Sequence, residues 1–284
     1  RAFGPGDLIS RYLTAGVADQ AFRLPINSSL DSIRLYTGSG GIYQSRLAAH
    51  LIHRAGGTVT RATHGGDTVL FKDPFWVGME VTGASHYITY GSTSAEVISD
   101  DFSSHPRASG INDNPQVAAA GSGYHSQLVE SATPSTSIKS GGNIVVISAS
   151  FTGELRPTPH VKIHDVVYLE WHTRLLQTIK NAGYKTISKR HPKGMSSHQP
   201  LFTGSCDIEL TGIGMTSIET PIDGWVTDLA ASAFLEAMCS LKPVVLVDIS
   251  TRRMTEFARK RITESVQIVN ATFDDDNRVI IDDN

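Results

Sequence analysis

The sequence predicts an α/β protein built on two mostly parallel sheets. Three observations carry that reading: β-rich runs end repeatedly in glycine-rich turns, amphipathic segments follow those turns, and a Ser/Gly/Pro/Asn-rich stretch separates two such series. At roughly 150 residues per domain, the 284 residues fit two domains. We place them at residues 1–120 and 121–284, each long enough to bury its own core.

The elements follow in order. Ser32–Tyr36 reads as a strand and Thr37–Gly41 as its exit loop. Residues 42–53 carry Ile42, Leu47, Ala48, Leu51 and Ile52 close to helical spacing, and Gly56 and Gly57 stop that helix. Thr58–Thr63 is rich in β-branched residues and ends at His64-Gly65-Gly66. His86–Gly91 repeats the pattern, with a helical stretch near Ser94–Ser99. Residues 101–142 are expected to form a crossover with little regular structure. Beyond it, Asn143–Ala149 is a buried strand. Residues 164–182 form the longest amphipathic helix, with Val166, Leu169, Trp171, Leu175, Leu176 and Ile179 on its apolar positions and Gly183 at its end. Tyr184–Lys189 is a strand that leads into Arg190-His191-Pro192-Lys193-Gly194. Gly224–Asp228 is a short strand, Ala230–Leu241 a helix and Pro243–Asp248 a strand. Asp274–Asn284 reads as a polar, acidic tail around the apolar island Val279–Ile281.

Composition excludes several classes. Lys plus Arg is 25 against 28 Asp plus Glu, a net charge of −3, which argues against binding nucleic acid by phosphate neutralisation but leaves room for one basic pocket. Cys206 and Cys239 make neither a disulfide framework nor a C-x-x-C zinc pattern, and a reducing compartment fits. No apolar run reaches the roughly 18 residues that span a bilayer. The first residues lack an initiator Met and a signal-peptide core, so the chain reads as an excised or processed piece of something longer. P-loop and G-x-S-x-G patterns are absent, and Asp274-Asp275-Asp276 reads as a solvated acidic run rather than a metal site.

Two α/β units joined by a crossover make a cleft, with the chemistry at the carboxyl ends of strands. Lys189, Arg190, His191 and Lys193 surround Pro192 with potential cations, as a phosphate-binding turn or a solvated basic one. Asp228 or Ser232 caps the following helix, or its free N–H groups receive a phosphate. Glu236, one turn further on, contacts a ribose or sugar hydroxyl or is an exposed helix carboxylate. His64, flanked by glycines, is a general acid/base or a loop histidine. Glu154, after Ser150-Phe151-Thr152-Gly153, is a catalytic carboxylate or a surface acid. Gly38-Ser39-Gly40-Gly41 misses the G-x-G-x-x-G spacing.

Taken together, a strand ending in HGG, a strand ending in KRHPKG and the run WVTDLAASAFLEAMCSLKPVVLVD resemble the GT-B glycosyltransferases of bacterial capsule and O-antigen synthesis. Kdo transferases, bacterial sialyltransferases and CDP-glycerol glycerophosphotransferases belong to that loose set. AGGTVTRATHGGDTVLF with ASHYITYG is similar to surface-carbohydrate proteins that carry QHGG and WG, Thr63 standing for the Gln and Tyr90 for the Trp. The resemblance spans residues 33–100 and 143–250. It implies a GT-B-like fold, two Rossmann-like parallel-sheet domains facing a cleft, with a shortened acceptor-side domain at 1–120 and a nucleotide-sugar domain at 121–284. It implies transfer of a sugar from a nucleotide-activated donor, such as CMP-Kdo or another CMP-sugar, to a growing bacterial surface glycan. His191 and Pro192 would then meet the donor phosphate, with Lys189, Lys193, Ser232 and Glu236 beside them. The Ser-Ser motif reads Ala231-Ser232 here, which leaves phosphate binding more dependent on backbone N–H groups. His64 and Glu154 are the catalytic candidates, and Gly40, Gly65 and Gly66 lie on the acceptor side. The expectation includes no metal, no cofactor and no nucleic acid. It places the protein in the cytoplasm at the inner membrane face, peripherally attached or part of a larger synthase. A nucleotide-sugar epimerase or polyol-phosphate transferase on the same fold is the alternative. A catalytically inactive glycan-binding or scaffold module, motivated by Ala231 and the short first half, is another.

Overall fold

The computed structural model describes residues 33–38, 43–66, 68–72, 80–104, 115–151, 163–192 and 199–281. Gly40, Glu154 and Lys193 lie outside the described residues. The chain forms two compact units, one of Arg1–His64 with Pro74–Gly121 and one of Gly65–Asp73 with Ser122–Asn284. Both are Rossmann-like, parallel strands alternating with helices.

In the first unit, β1 (Arg34–Thr37), β2 (Thr58–Ala62), β3 (His86–Thr89) and β4 (Gln116–Ala119) pair in parallel in sequence order. Helix α1 (Tyr43–Arg54) joins β1 to β2, and α2 (Ser92–Ser104) joins β3 to β4. Leu47 and Ala49 of α1, Val59 of β2 and Tyr87 of β3 are buried. The return from α1 to β2 needs glycine: a Cβ on Gly57 would lie 2.7 Å from both the Ile33 carbonyl oxygen and Cγ2 of Ile52.

The second unit holds α3 (Gly123–Ser131), β5 (Asn143–Ile147), α4 (Asp165–Asn181), β6 (Lys185–Lys189), β7 (Ile208–Leu210), β8 (Gly224–Thr227), α5 (Ser232–Cys239), β9 (Val244–Asp248), α6 (Glu256–Ile262), β10 (Gln267–Phe273) and β11 (Val279–Ile281). The sheet order is β11-β10-β9-β8-β5-β6-β7, parallel except for β11. Leaving β11 aside, its strands stand in the order third, second, first, fourth, fifth, sixth, which is the dinucleotide-binding arrangement. β5 is apolar along its length because both faces are covered. Ile144 and Val146 pack with Tyr168, Trp171, Leu175 and Leu176 of α4. Val145 and Ile147 pack with Phe234 and Ala237 of α5 and Ile262 of α6. Gly183, with φ of 88°, supplies the left-handed turn after α4.

One expectation of the fold needs correction. The stretch 101–142 is not a structureless crossover, since β4 and α3 lie within it. β4 is a short edge strand held by backbone bonds to β3, and α3 buries no residue, so neither writes an apolar pattern into the sequence. The acidic tail closes into a hairpin, with Asp275 and Asp276 exposed at its turn as a solvated run requires. Asp274 Oδ1 accepts the amides of Asp276 (3.0 Å) and Arg278 (2.7 Å), and β11 closes on β10 with Val279 fully buried. Among the described residues, no helix is long and apolar enough to cross a membrane.

The excursion Gly65–Asp73 makes the second unit discontinuous. Its amide at Lys72 donates to Arg253 O (2.8 Å), and Thr255 N donates to Leu70 O (2.9 Å). Phe71, 5% exposed, joins the core under α5 and α6, with the Arg252 guanidinium 3.6 Å above its ring. Phe71→Ala is expected to cost about 3–5 kcal/mol, the range for emptying a buried Phe site. Urea unfolding of the intact chain checks this. A loss under about 1 kcal/mol would remove the excursion from the second core.

Candidate functional site

Ligands of open parallel sheets sit at the carboxyl ends of the strands, where neighbouring crossovers leave in opposite directions. In the second unit that point lies between β5 and β8. Ile147 pairs with both Thr227 and Lys189, so Ser148, Asp228 and Arg190 follow side by side at one edge.

Asp228 is the hub of that edge. Its carboxylate is buried and receives three donors from one face of α4: the Tyr168 hydroxyl at 3.0 Å, the Trp171 indole N–H at 3.1 Å and His172 Nε2 at 2.9 Å. Residues three and four apart on a helix share a face, which is what this spacing requires. The Tyr168 oxygen also accepts the Ala149 amide at 2.8 Å, tying the exit of β5 into the same network. Burial, followed by the charge of Asp228, pushes the Tyr168 pKa well above its ordinary value. These three hydrogen bonds to the two oxygens of Asp228 order this edge of the sheet. Asp228 does not cap α5. The residue before α5 is Ala231, which makes no side-chain cap, and Ser232 is the first helical residue. The capping expectation fails because α4 claims the carboxylate.

Lys189 ends β6 and is 3% exposed. Its ammonium donates to Arg190 O at 2.7 Å, and no carboxylate forms a salt bridge with it among the described residues. Burial lowers its pKa, and the charge of Glu236 partly offsets that. Alternation along β6 puts Lys189 with Ile187 on the face covered by α5, whose N-terminus opens at Ser232. Ser148, on the other face by the same alternation, has a buried hydroxyl without a partner. A buried ammonium that forms no salt bridge among the described residues and an orphan hydroxyl both cost free energy that an incoming polar ligand would offset.

The remaining candidates are placed as follows. Arg190 is buried and donates to Gln199 O, with Glu209 at 3.7 Å, so it braces the loop before β7 and is not one of a row of surface cations. His191 is half-buried and Pro192 exposed at the same turn. Glu236 accepts the Tyr124 hydroxyl of α3 at 2.9 Å, which helps burial push the Tyr124 pKa up to about 12. Together with Leu128, Trp225 and Ser240, Glu236 lines a cavity of about 390 Å³ beside the amino end of β8. His64 is exposed at the last position of the first unit's leading segment, while Gly65 and Gly66 begin the excursion in the second.

Sequence reasoning marked Ser148, at the end of β5, but missed Tyr168 and His172. The legible trace was Y-x-x-W-H, polar-tipped aromatics on the face that periodicity marks as buried. No protein-family model matches the chain, and a search of curated proteins gives no match.

Asp228→Ala strands three buried donors and is expected to cost about 3–5 kcal/mol in urea unfolding. Above pH of about 10 the unfolded chain releases the Tyr168 proton and the folded chain keeps it, so stability present below that pH falls as pH rises. Tyr168→Phe lowers stability at neutral pH yet flattens this alkaline decline. An unchanged slope would show that Tyr168 ionises in the folded protein.

Proposed function

We propose that the protein is a glycosyltransferase that moves a sugar from a nucleotide-activated donor, CMP-linked such as CMP-Kdo, to a growing bacterial surface glycan. The observation that supports this best is the buried ammonium of Lys189, which forms no salt bridge among the described residues, on the sheet face where α5 begins. The donor phosphate would lie between Lys189, His191 and the N–H groups opened at Ser232, with the helix dipole favouring its charge.

In this reading the acceptor oxygen attacks the anomeric carbon, the carbon–oxygen bond to phosphate breaks, and the nucleotide leaves with that electron pair. Lys189 and the α5 terminus stabilise the charge that develops on the leaving phosphate. The acceptor proton passes to a base. Ser148 supplies a hydrogen bond to the bound donor. The proposed place of work is the cytoplasmic face of a membrane, where such acceptors grow.

A thermal-shift panel of CMP, CDP, UDP and GDP tests the donor site. A ligand at about 100 times its Kd adds about 2.7 kcal/mol, roughly 5–10 °C for a chain of this size. One nucleotide is expected to stabilise the wild type, and Lys189→Met to abolish the shift. No shift with any nucleotide on folded protein would turn the reading toward a binding or scaffold module.

A further inference from the structure

The cavity of about 390 Å³ beside the amino end of β8 lies wholly within the second unit. Its lining comes from the end of α3, the single helical turn Met215–Ser217, the lead into β8 and the second half of α5. The space stays open because α3 rests on α5 without burying a residue of its own. Leu128, Met215, Ile222 and Trp225 give it apolar walls.

Much of the polar lining is already spent. The Ser131 hydroxyl donates to carbonyls of its own helix, Gln127 O at 2.8 Å and Leu128 O at 3.1 Å. The Trp225 indole N–H donates to Ser240 Oγ at 2.8 Å, and that hydroxyl donates to Ala237 O at 2.6 Å. A hydroxyl carries one proton, so neither serine has one left to give. The two charged groups are differently placed. Glu236 receives the Tyr124 hydroxyl on Oε2 at 2.9 Å, and its Oε1 takes no hydrogen bond among the described residues. Its charge acts on Lys189 through space, without a contact between them. Lys242, partly exposed, forms no salt bridge among the described residues, with Glu236 or with any other acid.

Two opposite charges on one lining that do not close into an ion pair select for a dipole. A lone amine that meets Glu236 also faces the ammonium of Lys242, and a lone carboxylate has the reverse difficulty. An uncharged apolar molecule sets both charges against hydrocarbon. A zwitterion gives each a charge-assisted hydrogen bond. The volume stands at the lower end of the roughly 300–1,000 Å³ of small-molecule sites, which suits a molecule of amino-acid size. Trp225 in the wall favours an aromatic side chain. We propose that this cavity binds a free α-amino acid with a large apolar side chain, its ammonium on Glu236 Oε1 and its carboxylate on Lys242. The site is separate from the carboxyl edge that holds Lys189, and it stands whether or not a nucleotide binds there.

The test is calorimetric titration of the full chain with L-tryptophan at neutral pH and fixed ionic strength, where binding is expected. Tryptamine lacks the carboxylate and indole-3-propionate the ammonium. Each should bind about tenfold or more weakly, the worth of one charge-assisted hydrogen bond. Glu236→Gln and Lys242→Met should each weaken L-tryptophan by a similar factor. Lys260→Met, which removes an exposed charge on α6, should leave it unchanged. Should Glu236→Gln fail to fold by circular dichroism, Lys242→Met decides. Failure of both L-tryptophan and L-phenylalanine to bind the wild type overturns the proposal. So does an affinity that either analogue matches, or that Lys242→Met leaves intact. Loss of binding in Lys189→Met protein would put the amino acid at the carboxyl edge and overturn it as well. A silent nucleotide panel beside intact amino-acid binding defeats only the donor assignment. The reverse result defeats only this one.

Discussion

The second unit depends on one buried carboxylate. Removing a carboxylate from water costs several kcal/mol, and Asp228 recovers this only because three donors from α4 converge on it. The same contacts fix the rotation of α4 about its axis and, through Tyr168 and Ala149, the direction in which the chain leaves β5. The apolar contacts of Leu175 and Leu176 tolerate small rotations of the helix. Three hydrogen bonds to two oxygens do not. Packing therefore supplies most of the free energy of this layer, and the carboxylate supplies its register.

The two units share a device that neither sheet needs for folding. In each, the residue paired with the last position of the leading strand is a buried base: Arg61 opposite Thr37, and Lys189 opposite Ile147. Each is bound to neutral oxygens rather than to a carboxylate. A core selected for stability alone would place an apolar side chain at these positions. Some of the other described cations pair with acids, as Arg259 does with Asp248 and Lys180 with Asp207.

Much of this was legible in the sequence. β5, β8 and β9 carry short apolar runs because they are covered on both faces, and α4 shows its buried stripe at helical spacing. The fold class follows from those elements and their glycine-rich exits. Several elements that escaped have little apolar stability: β4 and β7 are edge strands of three or four residues, α3 buries nothing, and the β10–β11 turn rests on one aspartate, while α6 and β10 escaped although they bury Ala258, Ile262 and Ala271. The Asp228 network escaped for a different reason. Periodicity reports which face is buried, but not that a tyrosine, a tryptophan and a histidine on it aim their polar ends at one point. The burial of Arg61 was equally silent, because a sequence shows a charge and not its surroundings.

The excursion of Gly65–Asp73 bears on how this chain can be made. Phe71 is made about 180 residues ahead of Met254 and Arg252, which cover it, so its aromatic side chain waits uncovered until that stretch has been synthesised. The same threading means that three chain crossings, after His64, Asp73 and Gly121, join the units. A cut at the last of them would not release a self-sufficient half. The second unit would lose a piece of its own interior, and exchange of either unit between proteins as an independent cassette is closed off by the path of the backbone.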